Sequence, residues 1–266
     1  MANEYVAHKD EWKALADIDY FGMFVKAYIP FNAWMNVSYP AATTDREKIN
    51  AIKKDPNPFR NKICALLNAD TQEGNNFRGL LGELHDLLEN HYVHNQDKRI
   101  SFTSVTLGKN PSNVAFTTYQ GLEYRVQYGN NAGNTQMLVL IKNRAGTAIV
   151  NINQPDYDII GLKSHPNFIA IDNQGRKDRL INCYKQVEPY ITKDLTTGFN
   201  INDEGSFYQC GKYKFAKEDE NIAKGLIEII YNMRNSLFHG ELIPDKEANM
   251  TYGTAYKILR ILIDAI

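Results

Sequence analysis

Hydrophobic residues recur at helical spacing at both ends of this chain and alternate with polar residues in its middle. This double change of period constrains the fold more than any other feature. Near the start, Trp12, Leu15, Ile18, Phe24, Tyr28, Phe31 and Trp34 recur at close to helical intervals, and Pro30 is expected to kink or split that helix. Thr44 followed by Glu47 reads as a capping box that opens a short helix to about Lys54. Pro56 and Pro58 end it, and Phe59 to Asn68 predicts a further turn or two. The clearest amphipathic helix runs from about Asn76 to His94, with Phe77, Leu80, Leu81, Leu84, Leu87, Leu88 and His91 on one side.

After Lys98 the period becomes two. Leu122, Tyr124, Val126 and Tyr128 alternate with polar neighbours, as a half-buried strand requires. Ile100 to Leu107, Val114 to Tyr119, Thr135 to Lys142 and Gly146 to Asn153 predict further strands, with Asn143 and Gly146 in a hairpin turn. Together they predict an antiparallel meander over about 100–153. Lys177 to Val187 predicts a helix through Leu180, Ile181, Tyr184 and Val187.

Helical spacing returns near the end. Ile222, Leu226, Ile229, Ile230, Met233 and Leu237 form one stripe, punctuated by Gly240 and Pro244. Tyr252, Tyr256, Leu259, Ile263 and Ile266 form a second, so the two read as an antiparallel helix pair. Their stripes are too broad to cover each other, and the one at Phe77 to His91 offers the missing surface. The expected fold is therefore α+β. A discontinuous helical bundle draws on both chain ends, residues 1–98 and 216–266, with a β-rich insertion at 99–215.

A chain of 266 residues can bury a sizeable core, and 43% hydrophobic with 23% charged residues is ordinary for a soluble protein. With 30 basic against 31 acidic residues there is no global field for nucleic acid, so a polyanion would have to be gripped locally. Cys64, Cys183 and Cys210 lie far apart and suit a reducing cytoplasm better than a disulfide framework. Met1 to Asp10 lacks the apolar core of a signal peptide, and Lys26, Pro30 and Asn32 interrupt the longest apolar stretch. The expectation is a cytoplasmic protein without a membrane partner.

The segment Tyr231-Asn232-Met233-Arg234-Asn235-Ser236-Leu237-Phe238-His239-Gly240 carries the most chemistry. A guanidinium neutralises charge on phosphate oxygens, and an imidazole moves protons near neutral pH. On a continuous helix, residues five apart point about 140° away from each other. Arg234 and His239 therefore converge better if the helix ends between them and Gly240 turns the chain. The same residues also suit a purely structural role against the last carbonyls of a helix.

Arg234, Asn235 and His239, with Leu237-Phe238-His239-Gly240 closing the segment, resemble the signature of the HEPN superfamily. The stretch Phe31-Asn32-Ala33-Trp34 is also similar to an early helix of some members. The resemblance covers the last fifty residues well, the first hundred loosely, and 100–215 not at all. It implies a metal-independent endoribonuclease of bacterial defence or toxin type, acting on single-stranded RNA without a cofactor. It also implies a homodimer with two motifs lining one cleft, and an antitoxin or defence partner protein. In that scheme His239 transfers the proton, Arg234 holds the scissile phosphate, and Asn235 orients the histidine or the phosphate. The products would be a 2′,3′-cyclic phosphate and a 5′-hydroxyl. Some members keep the bundle and only bind partners, which leaves a non-catalytic interaction or sensing module as the alternative.

Other constellations compete less well. Glu83, His85, Asp86, Glu89, His91 and His94 could offer metal ligands, but the spacing is better read as charge on the surface of an amphipathic helix. In the insertion, Phe102, Phe116, Tyr119, Tyr124 and Tyr128 lie among Lys109, Arg125, Lys142 and Arg144, an interleaving that suits bases and phosphates as well as an ordinary sheet. Arg176, Lys177 and Arg179 form a basic cluster. No P-loop, GxGxxG or GxSxG occurs.

Overall fold

The computed structural model of the chain describes residues 19–96, 98–129 and 136–266. Helix α1 (Tyr20–Ser38) begins where the Asp19 carboxylate accepts from the Gly22 N–H at 3.0 Å. It runs through Pro30 instead of splitting there. Pro30 and Lys26 are both exposed, so the carbonyl that proline leaves unpaired faces water. Phe24, Ala27, Tyr28, Phe31 and Met35 form its buried side, while Trp12, Leu15 and Ile18 lie outside the described residues.

Helix α2 (Asp45–Lys54) opens with the capping box: Thr44 accepts from the Glu47 N–H at 3.2 Å, and Glu47 accepts from the Thr44 N–H at 3.1 Å. Helix α3 (Pro58–Asn68) is longer than the turn or two expected, because Asn57 caps it and Pro58 sits in its first turn, where no N–H is needed. Helix α4 (Gln72–Asn90) is capped by Thr71 and buries Phe77, Leu80, Leu81, Leu84, His85 and Leu88. His91, expected on this stripe, is the C-cap, and the buried histidine is His85.

Short strands β1 (His94–Asn95) and β2 (Lys98–Arg99) pair antiparallel, and β3 (Val105–Lys109) follows. The sequence pattern places 100–107 in the meander. Instead, β3 lies outside the four-stranded sheet, and Ile100, Phe102, Val105 and Leu107 bury their side chains with the helices. The chain then forms β4 (Val114–Tyr119), β5 (Leu122–Tyr128), β6 (Met137–Lys142) and β7 (Ala148–Gln154), an antiparallel meander in sequence order. At the β6–β7 turn, the Gly146 N–H donates to the Asn143 carbonyl at 2.9 Å. Helices α5 (Ile159–Ser164), α6 (Pro166–Ile169) and α7 (Gln174–Gln186) complete this part. After β8 (Tyr190–Lys193), β9 (Phe207–Cys210) and β10 (Tyr213–Ala216) form a hairpin. The last helices are α8 (Asp219–Phe238) and α9 (Lys246–Ile263).

The chain divides into two compact units, 1–107 with 192–266, and 108–191. In the first, residues from Phe24 to Leu107 and from Leu195 to Leu262 share one core. Strand β9 lies so close to α4 that a Cβ on Gly82 would collide with the Cys210 carbonyl oxygen. Helix α9 packs chiefly on α1 and α4 and only lightly on α8, so the stripe at Phe77 to Leu88 does supply surface that the last two helices do not give each other. Tyr252 anchors α9, with Phe21 and Phe24 rings 5.0 and 5.2 Å away and its hydroxyl donating to the Met233 carbonyl at 2.6 Å. Helix α8 buries twelve of its twenty residues, which demands partners on more than one side, and α2 and α3 supply them.

The second unit, 108–191, is narrower than the 99–215 read from the sequence, because the flanking apolar residues belong to the first core. Its own core joins Ala115, Tyr124, Val126, Val139, Ile141 and Ile152 of the sheet to Leu180, Cys183, Tyr184 and Val187. The Tyr184 hydroxyl donates to Gln154 at 2.7 Å and accepts from the Asp158 N–H at 2.8 Å. Among the described residues no helix is long and apolar enough to cross a membrane.

Candidate functional site

Helix α8 positions the whole signature. Glu228, Asn232, Asn235 and His239 follow one another at intervals of four, three and four, which aligns them along one helix face. Arg234 points away from that line. The helix continues through Phe238, and His239 is still right-handed at φ −89° and ψ 0°, its N–H donating to the Asn235 carbonyl at 2.9 Å. The helix thus ends between Arg234 and His239, as expected, but His239 caps it in a right-handed conformation and the two side chains do not meet. The chain turns one residue later, at Gly240, whose φ of +68° suits a residue without a Cβ.

Arg234 is only partly exposed. Its Nη1 donates to Asn235 Oδ1 at 3.0 Å, and its Nη2 lies 3.3 Å from the Asp45 carboxylate at the start of α2. Its guanidinium carbon is 4.8 Å from the Phe238 ring centroid and 5.9 Å from that of Tyr28. Arg234 Nε, the Tyr28 hydroxyl and Asn32 Oδ1 are buried without a hydrogen-bond partner among the described residues. Buried polar atoms are seldom left so, which marks this spot as unusual. Burial also raises the Tyr28 hydroxyl above its ordinary pKa, so it stays protonated.

His239 is exposed. Among the described residues no hydrogen bond or ion pair joins its side chain to Arg234 or Asn235. One chain thus brings Arg234 and Asn235 together but leaves His239 apart.

Sequence reasoning missed the polar cluster further along the same face. Arg46 Nη1 donates to both Glu228 oxygens at 2.8 Å, and Lys53 donates to Glu228 Oε2 at 2.6 Å. Asn232 Oδ1 accepts from Asn95 at 3.2 Å and, more weakly, from Arg46 at 3.4 Å. Lys53 and Glu228 are almost fully buried, whereas the Arg46 side chain is 41% exposed. Burial pulls the Lys53 amine below the usual lysine range, opposed by the Glu228 charge. Two cations on one carboxylate leave this cluster with a net positive charge. The signal in the sequence was Glu228 itself, a carboxylate inside an apolar stripe four residues before Asn232.

The histidine- and acid-rich part of α4 does not converge on a metal. His85 is buried, with the rings of Tyr213, Phe215 and Phe102 at 4.4, 5.5 and 6.0 Å. It is thus part of the core and not the surface charge expected there. Asp86 is engaged by Tyr213 at 2.5 Å and Lys212 at 3.0 Å, and His94 stacks on Tyr92 at 5.0 Å. Among the described residues no three His, Cys, Asp or Glu side chains are grouped to hold a metal ion.

The basic cluster of the second unit disperses. Arg176 faces Asp172 at 3.5 Å, Lys177 donates to the Ile169 carbonyl at 3.0 Å, and Arg179 stacks 3.6 Å over Tyr119. Of the interleaved aromatics, Phe102 and Tyr124 are fully buried, while Phe116 and Tyr119 are exposed.

Comparison with protein-family models, curated proteins and solved structures finds no match to this chain.

Proposed function

We propose that the chain is a HEPN-like, metal-independent endoribonuclease whose active centre is completed by a second copy of the same chain. The observation that carries this reading is a fixed guanidinium and, five residues further on at the end of the same helix, an exposed imidazole. Arg234 is held by Asn235 and Asp45 yet keeps 24% of its side chain exposed, while His239 stands free at the helix end. A held cation costs little reorganisation when charge develops on a phosphate.

In the reaction, His239 accepts the proton of the RNA 2′-hydroxyl or returns one to the departing 5′-oxygen. The 2′-oxygen attacks the adjacent phosphorus, the bond to the 5′-oxygen breaks, and a 2′,3′-cyclic phosphate forms. Arg234 neutralises the charge that builds on the phosphate oxygens. Asn235 orients the arginine, given its contact with Nη1 at 3.0 Å, and not the histidine. Arg234 and His239 diverge within one chain, so His239 of one copy would act with Arg234 of another across a two-fold axis. Single-stranded RNA is the substrate class, because its backbone can reach the in-line geometry. A bacterial defence or toxin setting, in the cytoplasm and with an antitoxin or other partner protein, belongs to the same reading.

One observation favours the second reading, a non-catalytic interaction or sensing module. Asp45 already neutralises Arg234 at 3.3 Å. Incubating the purified protein with a mixed RNA pool in EDTA, then sequencing the cut ends, separates the two. Cyclic-phosphate ends at defined positions are expected. Intact RNA, or cutting that requires a divalent metal, overturns the proposal.

A further inference from the structure

We infer that the open face of the β4–β7 sheet is a platform for single-stranded RNA, on which Phe116 stacks a base and Arg125 and Lys142 hold the backbone. The choice of RNA rests on the proposed function, whereas binding at this face does not depend on cleavage.

Side chains alternate across a sheet, so the strand register sorts the residues into two faces. Ala115, Tyr124, Val126, Val139, Ile141 and Ile152 share a core with the helical residues of this unit. The other face carries the complementary set. Phe116 lies opposite Arg125, Arg125 opposite Leu140, and Leu140 opposite Asn151. In the neighbouring row Thr118, Glu123 and Lys142 are partners, and in the next Val114, Gln127, Leu138 and Asn153.

Phe116 is 66% exposed, and Thr118, Asn151 and Asn153 are exposed with it. A lone exposed aromatic ring is unremarkable. Here it is the cross-strand neighbour of a guanidinium, with Leu140 buried beyond it and the amides and hydroxyl of Gln127, Asn151, Asn153 and Thr118 around, which together supply a base-stacking surface, phosphate contacts and partners for base edges. Among the described residues of these strands the only carboxylate is Glu123, 4.0 Å from Arg125 and opposite Lys142, so the face stays positive.

Charge along the chain points the same way. Residues 108–191 hold nine basic and six acidic side chains, while the remainder holds twenty-one and twenty-five. The near-zero total thus conceals a second unit of net charge +3 and a first unit of −4. A polyanion is drawn to the unit that bears the platform. A flat sheet accepts splayed bases, which single strands offer and duplexes do not.

The test is fluorescence anisotropy of a labelled 2′-O-methyl oligouridine, which cannot be cut because its 2′-oxygen is blocked. Phe116→Ala in the full chain is expected to weaken binding about 5- to 150-fold, the loss of one stacked base. Phe116→Tyr, which keeps the ring, stays within about two-fold of wild type. Arg125→Ala with Lys142→Ala lowers the slope of log Kd against log salt by about 1.4. Absence of wild-type binding at low salt overturns the inference, as does a Phe116→Ala protein that binds with wild-type affinity. If these expectations hold while RNA stays uncut, the nuclease reading alone falls. If RNA is cut but Phe116→Ala binds normally, the platform alone falls.

Discussion

Arg234 lies in the last turn and a half of α8 and His239 is its C-cap, five residues on, where ideal helix geometry sets side chains about 140° apart. Arg234 turns toward Asp45 and the Tyr28 and Phe238 rings, and His239 toward solvent. In the proposed mechanism no single chain can present both to one phosphate.

A subunit-mixing experiment follows from that geometry. Arg234→Ala and His239→Ala proteins should each be inactive alone and regain about a quarter of wild-type activity when mixed and allowed to exchange, since half the dimers are mixed and one of their two centres is intact. Arg234→Ala is expected to lose about 1 kcal/mol of stability with its ion pair and ring contacts, so both proteins need melting curves. No recovery on mixing, or a monomer with full activity by light scattering, contradicts the two-copy centre.

The buried Lys53–Glu228 pair should be fragile from one side only. Glu228→Leu leaves a charged lysine without its partner in the core and should cost about 3–5 kcal/mol by chemical denaturation. Adding Lys53→Met should recover most of that loss, because Arg46 is exposed enough to turn to water. A double variant no more stable than the single one would show that the pair is not the unit described here.

His85 gives the fold an acid sensitivity. Burial lowers its pKa from the ordinary 6.5, against the opposing pull of Glu89, Asp194 and Asp86. The unfolded chain therefore binds the proton more readily, and stability should fall as pH drops below about 6.5. Thermal melting from pH 7 to pH 5 should show this fall, and His85→Leu should show less of it. Equal pH dependence in the two proteins contradicts the assignment.

Two glycines on α4 should respond oppositely to alanine. Gly79 has open space where a Cβ would go, so Gly79→Ala should stabilise by up to about 1 kcal/mol through helix propensity. At Gly82 the new methyl meets the Cys210 backbone, so Gly82→Ala must push the β9–β10 hairpin off the helix and should lower the melting temperature. Similar shifts for both would refute the close approach.

Local chemistry made parts of this fold legible in the sequence. The Thr44–Glu47 capping box, the Asn143–Gly146 turn and the alternation of 122–128 depend on neighbours in sequence, and each appears as read. The errors came from tertiary context. Pro30 does not split its helix because it faces outward, and β3 leaves the meander because its side chains complete another core. At the site, residue types were legible but directions were not. Nothing local says that Asp45 comes from α2 to meet Arg234, or that Arg46 and Lys53 converge on Glu228.

The central claim, that His239 moves a proton in RNA cleavage, is tested most directly by single-turnover cleavage with the His239→Ala protein beside its melting curve. His239 is exposed, so the substitution should change stability by no more than about 0.5 kcal/mol. The cleavage rate in EDTA should fall by about 10²–10⁴-fold, the usual cost of removing a general acid–base. A stable His239→Ala protein that cuts RNA at the wild-type rate would contradict the account.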